Sequence, residues 1–144
     1  MENRDSVNLL RECSEGVKMG ITTIEEVLPH VKSEKFQDAL RSSKTTHEKL
    51  YSEIMELLKQ YEAQRKEPSI MAKGMVWFKT NVQEMMNKSD KAIADLITDG
   101  CNTGVKSLTK YLNDYKLADD RIRDVAGRLI NSEEKLIESM KEYL

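Results

Sequence analysis

The sequence predicts an all-α protein, and three observations support this. Apolar side chains recur at steps of three and four along most of the 144 residues, which is the spacing of one helix face. Glycine and proline, the residues least compatible with a helix interior, number only six and two. The alternating apolar and polar runs that indicate strands do not appear in the sequence. We therefore expect helices and no β-sheet.

The bulk composition indicates one globular domain over residues 1–144. Apolar residues make up 39% of the chain and charged residues 33%, a mixture too apolar for a disordered segment. The net charge of −2 does not suggest the basic surface of a nucleic-acid-binding protein. No apolar run reaches the ~20 residues of a membrane span, and the start of the chain lacks a signal-peptide layout. We expect a cytoplasmic protein in which Cys13 and Cys101 are reduced thiols.

Two long helices are predicted in the first part of the chain. The first covers residues 4–30, where Pro29 ends it or disturbs its last turn. The second covers residues 34–64 and ends before the break at 65–69. In both, a seam of mostly apolar positions alternates steps of three and four, as in helix bundles. The seam positions are Val7, Leu10, Ser14, Val17, Ile21, Ile24 and Leu28, then Phe36, Leu40, Ser43, His47, Leu50, Ile54, Leu57 and Tyr61.

Two further long helices are predicted at residues 90–115 and 117–143, with a stop and a new N-cap at 87–90. Their seams predict a four-helix bundle together with the first two helices. The seam positions are Ala94, Thr98, Cys101, Val105, Leu108, Leu112 and Tyr115, then Ile122, Val125, Leu129, Glu133, Leu136, Met140 and Tyr143.

A shorter helix is predicted at residues 70–87, between the second and third long helices. Its ~27 Å length reaches along most of a bundle, which lets those two long helices run parallel. Its stripe contains Met71, Met75 and Met85, with Trp77 beside it. Two interpretations remain open for this stripe: packing against the bundle, or an adaptable surface that binds a protein partner.

An internal repeat relates residues 15–28 to residues 99–112. Gly16 and Gly20 are matched by Gly100 and Gly104 at a constant offset of 84 positions. Each mid-helix glycine costs about 1 kcal/mol relative to alanine, so four of them in matched pairs suggest close helix approach. We expect it between the first and third helices, or between a helix and its crossover neighbour. Chance similarity of amphipathic helices is the alternative. The repeat predicts two helical hairpins related by a pseudo-twofold axis.

Four segments resemble the ferritin-like superfamily, in particular a bacterial branch of small rubrerythrin-related bundles. The segments are Glu15-Gly16, residues 44–51 (Lys-Thr-Thr-His-Glu-Lys-Leu-Tyr), residues 74–79 (Gly-Met-Val-Trp-Phe-Lys) and residues 133–137 (Glu-Glu-Lys-Leu-Ile). The resemblance implies a four-helix bundle with an additional crossover helix between the second and third long helices.

The resemblance also implies where a di-iron site would stand. Such sites need a carboxylate on the first and third helices and Glu-x-x-His on the second and fourth. The matching positions in this chain are Val17, Lys44 with His47, Cys101, and Glu133 with Leu136. Only His47 and Glu133 keep the required residue type. We therefore expect no di-iron site, no cofactor and no catalytic residues, so that the protein is not an enzyme.

His47 and Glu133 both interrupt apolar seams, and we expect them to meet near the bundle centre. One interpretation is a structural hydrogen bond or ion pair between two buried groups. The other is a residual single-metal site that includes Cys101. Cys13 and Cys101 are either small buried hydrophobic residues or a redox pair. The leading function is a non-catalytic bundle that acts by protein association, as a homo-oligomer or with another partner. The alternative is a metal- or redox-responsive protein.

Overall fold

The computed structural model describes residues 4–62 and 89–144, which are almost entirely helical and contain no strand. The all-α prediction is confirmed, and so are the four long helices. The predicted helix at 70–87 lies outside the described residues. The described elements are α1 (Arg4–Val27), α2 (Glu34–Glu62), α3 (Asp90–Asp114) and α4 (Asp120–Met140), with short 3-10 turns at Leu28–His30 and Lys141–Tyr143.

The helix ends follow local chemistry. Pro29 lies in the 3-10 turn that follows α1, as its missing N–H and fixed backbone angle favour. Ser89 is the N-cap of α3, and its hydroxyl accepts a hydrogen bond from the Ala92 N–H at 3.3 Å. The predicted start of the last helix at 117 was three residues early. The N–H groups of Leu117 and Asp119 donate to Asp5 and Ser6 at 2.9 and 2.8 Å, which holds a turn there.

Hydrogen bonds between helix ends establish the topology. The N–H groups of Lys32 and Ser33 donate to the Asp90 carboxylate at 2.8 and 2.9 Å, so the starts of α2 and α3 lie together. Farther along, Arg121 near the start of α4 donates to Gln60 near the end of α2 at 3.2 Å. Helices α2 and α3 are therefore parallel, as predicted, while α2 and α4 are antiparallel. The end of α2 and the start of α3 consequently lie at opposite ends of the bundle.

The apolar core consists of two clusters separated along the bundle. Both contain residues from all four helices. The first cluster includes Leu9, Leu10, Cys13, Val17, Leu50, Ile54, Leu108, Ile122 and Leu129. The second includes Ile24, Phe36, Leu40, Ile93, Ile97, Cys101, Leu136 and Met140. On α2 and α4, His47 and Glu133 fall between the residues of the two clusters. No helix in the described ranges is long and apolar enough to cross a membrane.

Candidate functional site

A buried polar pair lies at the middle of the bundle. His47 Nε2 on α2 and Glu133 Oε1 on α4 are 2.8 Å apart, and the two residues are only 1% and 9% exposed. This contact confirms the prediction that the two seam positions meet. Two polar groups that interrupt an apolar core need partners, because a buried polar group without a hydrogen bond is costly.

The second ring nitrogen of His47 is also engaged. Nδ1 lies 2.8 Å from the backbone carbonyl oxygen of Ser43, one turn earlier on α2. A carbonyl oxygen can only accept, so Nδ1 carries a proton and donates. Burial lowers the pKa of His47, but the hydrogen bond and charge of Glu133, together with the Ser43 carbonyl, raise it above its usual value overall. The raised pKa favours the imidazolium form, which can donate from both nitrogens.

Two repeat-matched glycines lie against this pair. A Cβ atom at Gly20 on α1 would lie 2.8 Å from His47 Cδ2 and 2.9 Å from Nε2. A Cβ atom at Gly104 on α3 would lie 3.6 Å from Glu133 Oε2. The prediction of close approach between the first and third helices is thus wrong at these two positions, because the nearest atoms belong to side chains of α2 and α4. The crossover alternative lies outside the described residues.

Cys101 on α3 is the third residue that the sequence singled out, and it is buried in the second cluster. Burial, and then the nearby charge of Glu133, raise the pKa of Cys101 far above its usual value. Burial and the charge of Glu12 raise the pKa of Cys13 to about 12. Both cysteines are free and belong to different core clusters. A thiol that keeps its proton is a poor nucleophile and a poor metal ligand.

The other positions that the resemblance aligned with iron ligands have structural roles. Val17 is fully buried in the first cluster, and Leu136 is 5% exposed in the second. Lys44 forms a long ion pair with Glu25 of α1, with Nζ and Oε2 3.9 Å apart. In the two described ranges, no three His, Cys, Asp or Glu side chains are arranged to hold a metal ion.

A cleft opens between α1 and α3, with His47 and Glu133 at its floor. Its volume is about 260 Å³. All four repeat glycines line it, and among the described residues a Cβ atom at Gly16 would meet only Leu129 Cδ2, at 3.9 Å. Sequence reasoning missed this cleft. The paired glycines were its signal, because residues without side chains on two facing helices leave a void as readily as a close contact.

A second groove of about 460 Å³ runs between α2 and α4 on another side of the bundle. Small polar side chains dominate its lining, and two lysines lie among them. The lining includes Ala39, Ser42, Ser43, Thr46, Lys49, Asn131, Ser132, Lys135 and Ser139. No sequence signal predicted this groove, since most of its residues are ordinary polar positions between the seams.

Comparison with known proteins does not identify the chain. No protein-family model matches it, and no curated protein and no solved structure is significantly similar to it. Membership of the ferritin-like superfamily therefore stays a prediction from the quoted residues.

Proposed function

We propose that this protein is a non-catalytic, ferritin-like bundle that acts in the cytoplasm through protein association. In this proposal the positions of a di-iron site have become a structural ion pair. One observation carries the non-catalytic part: both ring nitrogens of His47 are engaged, one with Glu133 and one with the Ser43 carbonyl. The two free cysteines support a reducing compartment.

The engagement of both ring nitrogens bears directly on chemistry. A metal ligand or a general base needs a free lone pair on nitrogen, and the imidazolium form has none. A metal ion at Glu133 would have to displace His47 and leave a buried polar group without its partner, which typically costs ~1–3 kcal/mol. This argument supports a structural role for the pair.

The groove between α2 and α4 supports association between two copies of the chain. Its small side chains, such as Ser42 and Thr46, let another surface approach closely. Its border carries both signs of charge, with Lys49 and Lys135 on one hand and Glu53, paired with Arg128 at 2.6 Å, on the other. A twofold interface uses the same patch on both subunits, so a patch with both charges can complement itself.

Sedimentation velocity over a range of concentrations tests the association. We expect a concentration-dependent dimer for the native chain and a monomer for Thr46→Arg, which places a bulky cation in the groove. Thr109→Arg is the matched control, because both threonines are exposed on helices and donate to the carbonyl four residues earlier, at 3.2 and 2.7 Å. Thr109 does not line the groove. A native chain that stays monomeric at all concentrations, or a dimer that Thr46→Arg leaves intact, would contradict this assignment.

Iron loading tests the non-catalytic part. We expect no stoichiometric iron after anaerobic reconstitution and desalting, because Val17, Lys44, Cys101 and Leu136 replace ligands. Two retained irons per chain would overturn it.

The metal- or redox-responsive alternative is favoured by one observation: His47, Glu133 and Cys101 all line the cleft between α1 and α3. Thermal unfolding with and without zinc or iron(II) separates the two functions. Metal that stabilises the native chain, but not Glu133→Gln, would favour the alternative.

A further inference from the structure

The cleft between α1 and α3 has apolar walls above the His47–Glu133 pair at its floor. Met19 and Ile24 contribute from α1, and Leu96, Ile97 and Leu108 from α3. Ligand sites in proteins are typically concave and mostly apolar, with a few polar groups that orient the bound molecule. The cleft is likewise mostly apolar, and its few polar side chains lie at defined positions.

Thr23 supplies an unsatisfied polar group in the cleft. It is only 5% exposed, it lines the cavity, and its hydroxyl has no hydrogen-bond partner among the residues that the structure describes. Threonines within helices commonly donate to the carbonyl four residues earlier, as Thr98 and Thr109 do here at 2.8 and 2.7 Å. Because Thr23 makes no such bond, a bound molecule with a polar group is the partner that its hydroxyl lacks.

The other end of the cleft is acidic and aromatic. Glu12 and Glu15 line it from α1, and Tyr111 lines it from α3. Burial raises the pKa of Glu12, a hydrogen bond with Tyr111 lowers it, and the charge of Glu15 raises it further, so that the overall shift is upward. The Tyr111 ring stacks against Tyr115, with centroids 6.2 Å apart. A carboxylate in a cleft attracts an ammonium group by charge and by charge-assisted hydrogen bonds.

The separation of these two ends defines the shape of the ligand. Glu12 and Thr23 are three turns apart on α1, or ~16 Å along the helix axis. Gly16, Met19 and Gly20 lie between them on α1. An elongated molecule is required to reach from one end to the other.

We propose that the cleft between α1 and α3 binds a small organic cation: an amine whose ammonium group lies at Glu12, beside Tyr111, and whose apolar body extends towards the Thr23 hydroxyl. A carboxylate-headed molecule with the same body is disfavoured, because its charge would face Glu12. This site is independent of the association proposed above, which uses the opposite helices α2 and α4.

Isothermal titration calorimetry on the full chain tests the proposal, with n-octylamine, n-octanoate and 1-octanol below the concentrations at which they form micelles. We expect saturable binding of one octylamine per chain. We expect octanoate and octanol to bind at least about tenfold more weakly, because a charge-assisted contact is lost. Equal binding of all three would show apolar adsorption alone and overturn the proposal, as would a lack of saturable binding by the amine.

Substitutions locate the two ends of the ligand. Glu12→Gln should weaken octylamine binding by about tenfold, while Glu26→Gln, on the same helix but outside the cleft, should leave it unchanged. A probe with a distal hydroxyl, 8-amino-1-octanol, should bind more tightly than octylamine to the native chain but not to the isosteric Thr23→Val variant. Circular dichroism checks that each variant is folded. Equal binding by Glu12→Gln and Glu26→Gln would overturn the assignment of the ammonium site.

Discussion

The two halves of the repeat have the same glycine pattern but use it differently. Gly20 lies flush against the His47 ring, where a Cβ atom would be only 2.8 Å from the nearest ring carbon. Its counterpart Gly104 lies beside Glu133, where a Cβ atom would have an ordinary contact distance of 3.6 Å. The lesson is that matched positions in a repeat need not have equal structural importance. One glycine is required by its neighbour, and the other is tolerated.

The rigidity of the two side chains explains this difference. The His47 ring is fixed by hydrogen bonds at both nitrogens, so it cannot move away from α1 without losing one of them. The Glu133 carboxylate is at the end of a longer side chain, and the oxygen nearest Gly104 is not the one that contacts His47. It can therefore shift slightly while the ion pair stays intact.

The largest expected effect comes from removing one member of the pair that both glycines accommodate. His47→Leu or Glu133→Leu alone should each lower the free energy of unfolding by ~3–5 kcal/mol, because the remaining group is buried without its partner. The double variant should lose much less than the sum, so a double-mutant cycle in urea should show strong coupling. Additive losses would place the two side chains in separate environments and remove the basis of the comparison.

The next largest effect tests Gly20 itself. Gly20→Ala should destabilise the protein by ~1–3 kcal/mol, since overpacking against a fixed ring outweighs the ~1 kcal/mol gain in helix propensity. Gly127→Ala on α4 is the control, because a Cβ atom there would meet nothing within 4 Å. It should gain up to ~1 kcal/mol. If urea unfolding shows Gly20→Ala to be as stable as Gly127→Ala, the ring yields and Gly20 is not required.

The pH dependence of stability sharpens the role of the His47 ring. Because Glu133 and the Ser43 carbonyl raise the folded-state pKa of His47 above its usual 6.5, the imidazolium's contribution is fully present below that value. It is lost as the pH rises through the folded-state pKa. The stability difference between the native chain and His47→Gln should therefore shrink above pH 6.5 in urea titrations at successive pH values. A difference that grows with rising pH would mean that a neutral ring is the stabilising form.

Helices and the central pair were predictable because their signals are local. The spacing along each seam defines a helix face, and His47 and Glu133 each replace an apolar residue on such a face, so the two polar groups were expected to meet. The cleft, the partner of Lys44 and the unsatisfied hydroxyl of Thr23 were not predictable. They depend on the separation and rotation of whole helices. Packing determines both, and neither can be inferred from a short stretch of sequence. The glycine repeat is compatible with a void between two helices, but it is equally compatible with close contact between them.

The smallest expected effect belongs to Gly104, and its sign is the most informative. Gly104→Ala places a methyl group at ordinary contact distance from a carboxylate that can move, and it removes a mid-helix glycine from α3. We expect a stability between unchanged and ~1 kcal/mol higher in urea unfolding, since little opposes the gain in helix propensity. Gly20→Ala measured in parallel should differ in sign, although the repeat aligns the two positions. A loss at Gly104 equal to the loss at Gly20 would show that the Glu133 carboxylate is held as firmly as the ring, and that the two halves are equivalent in packing as well as in sequence.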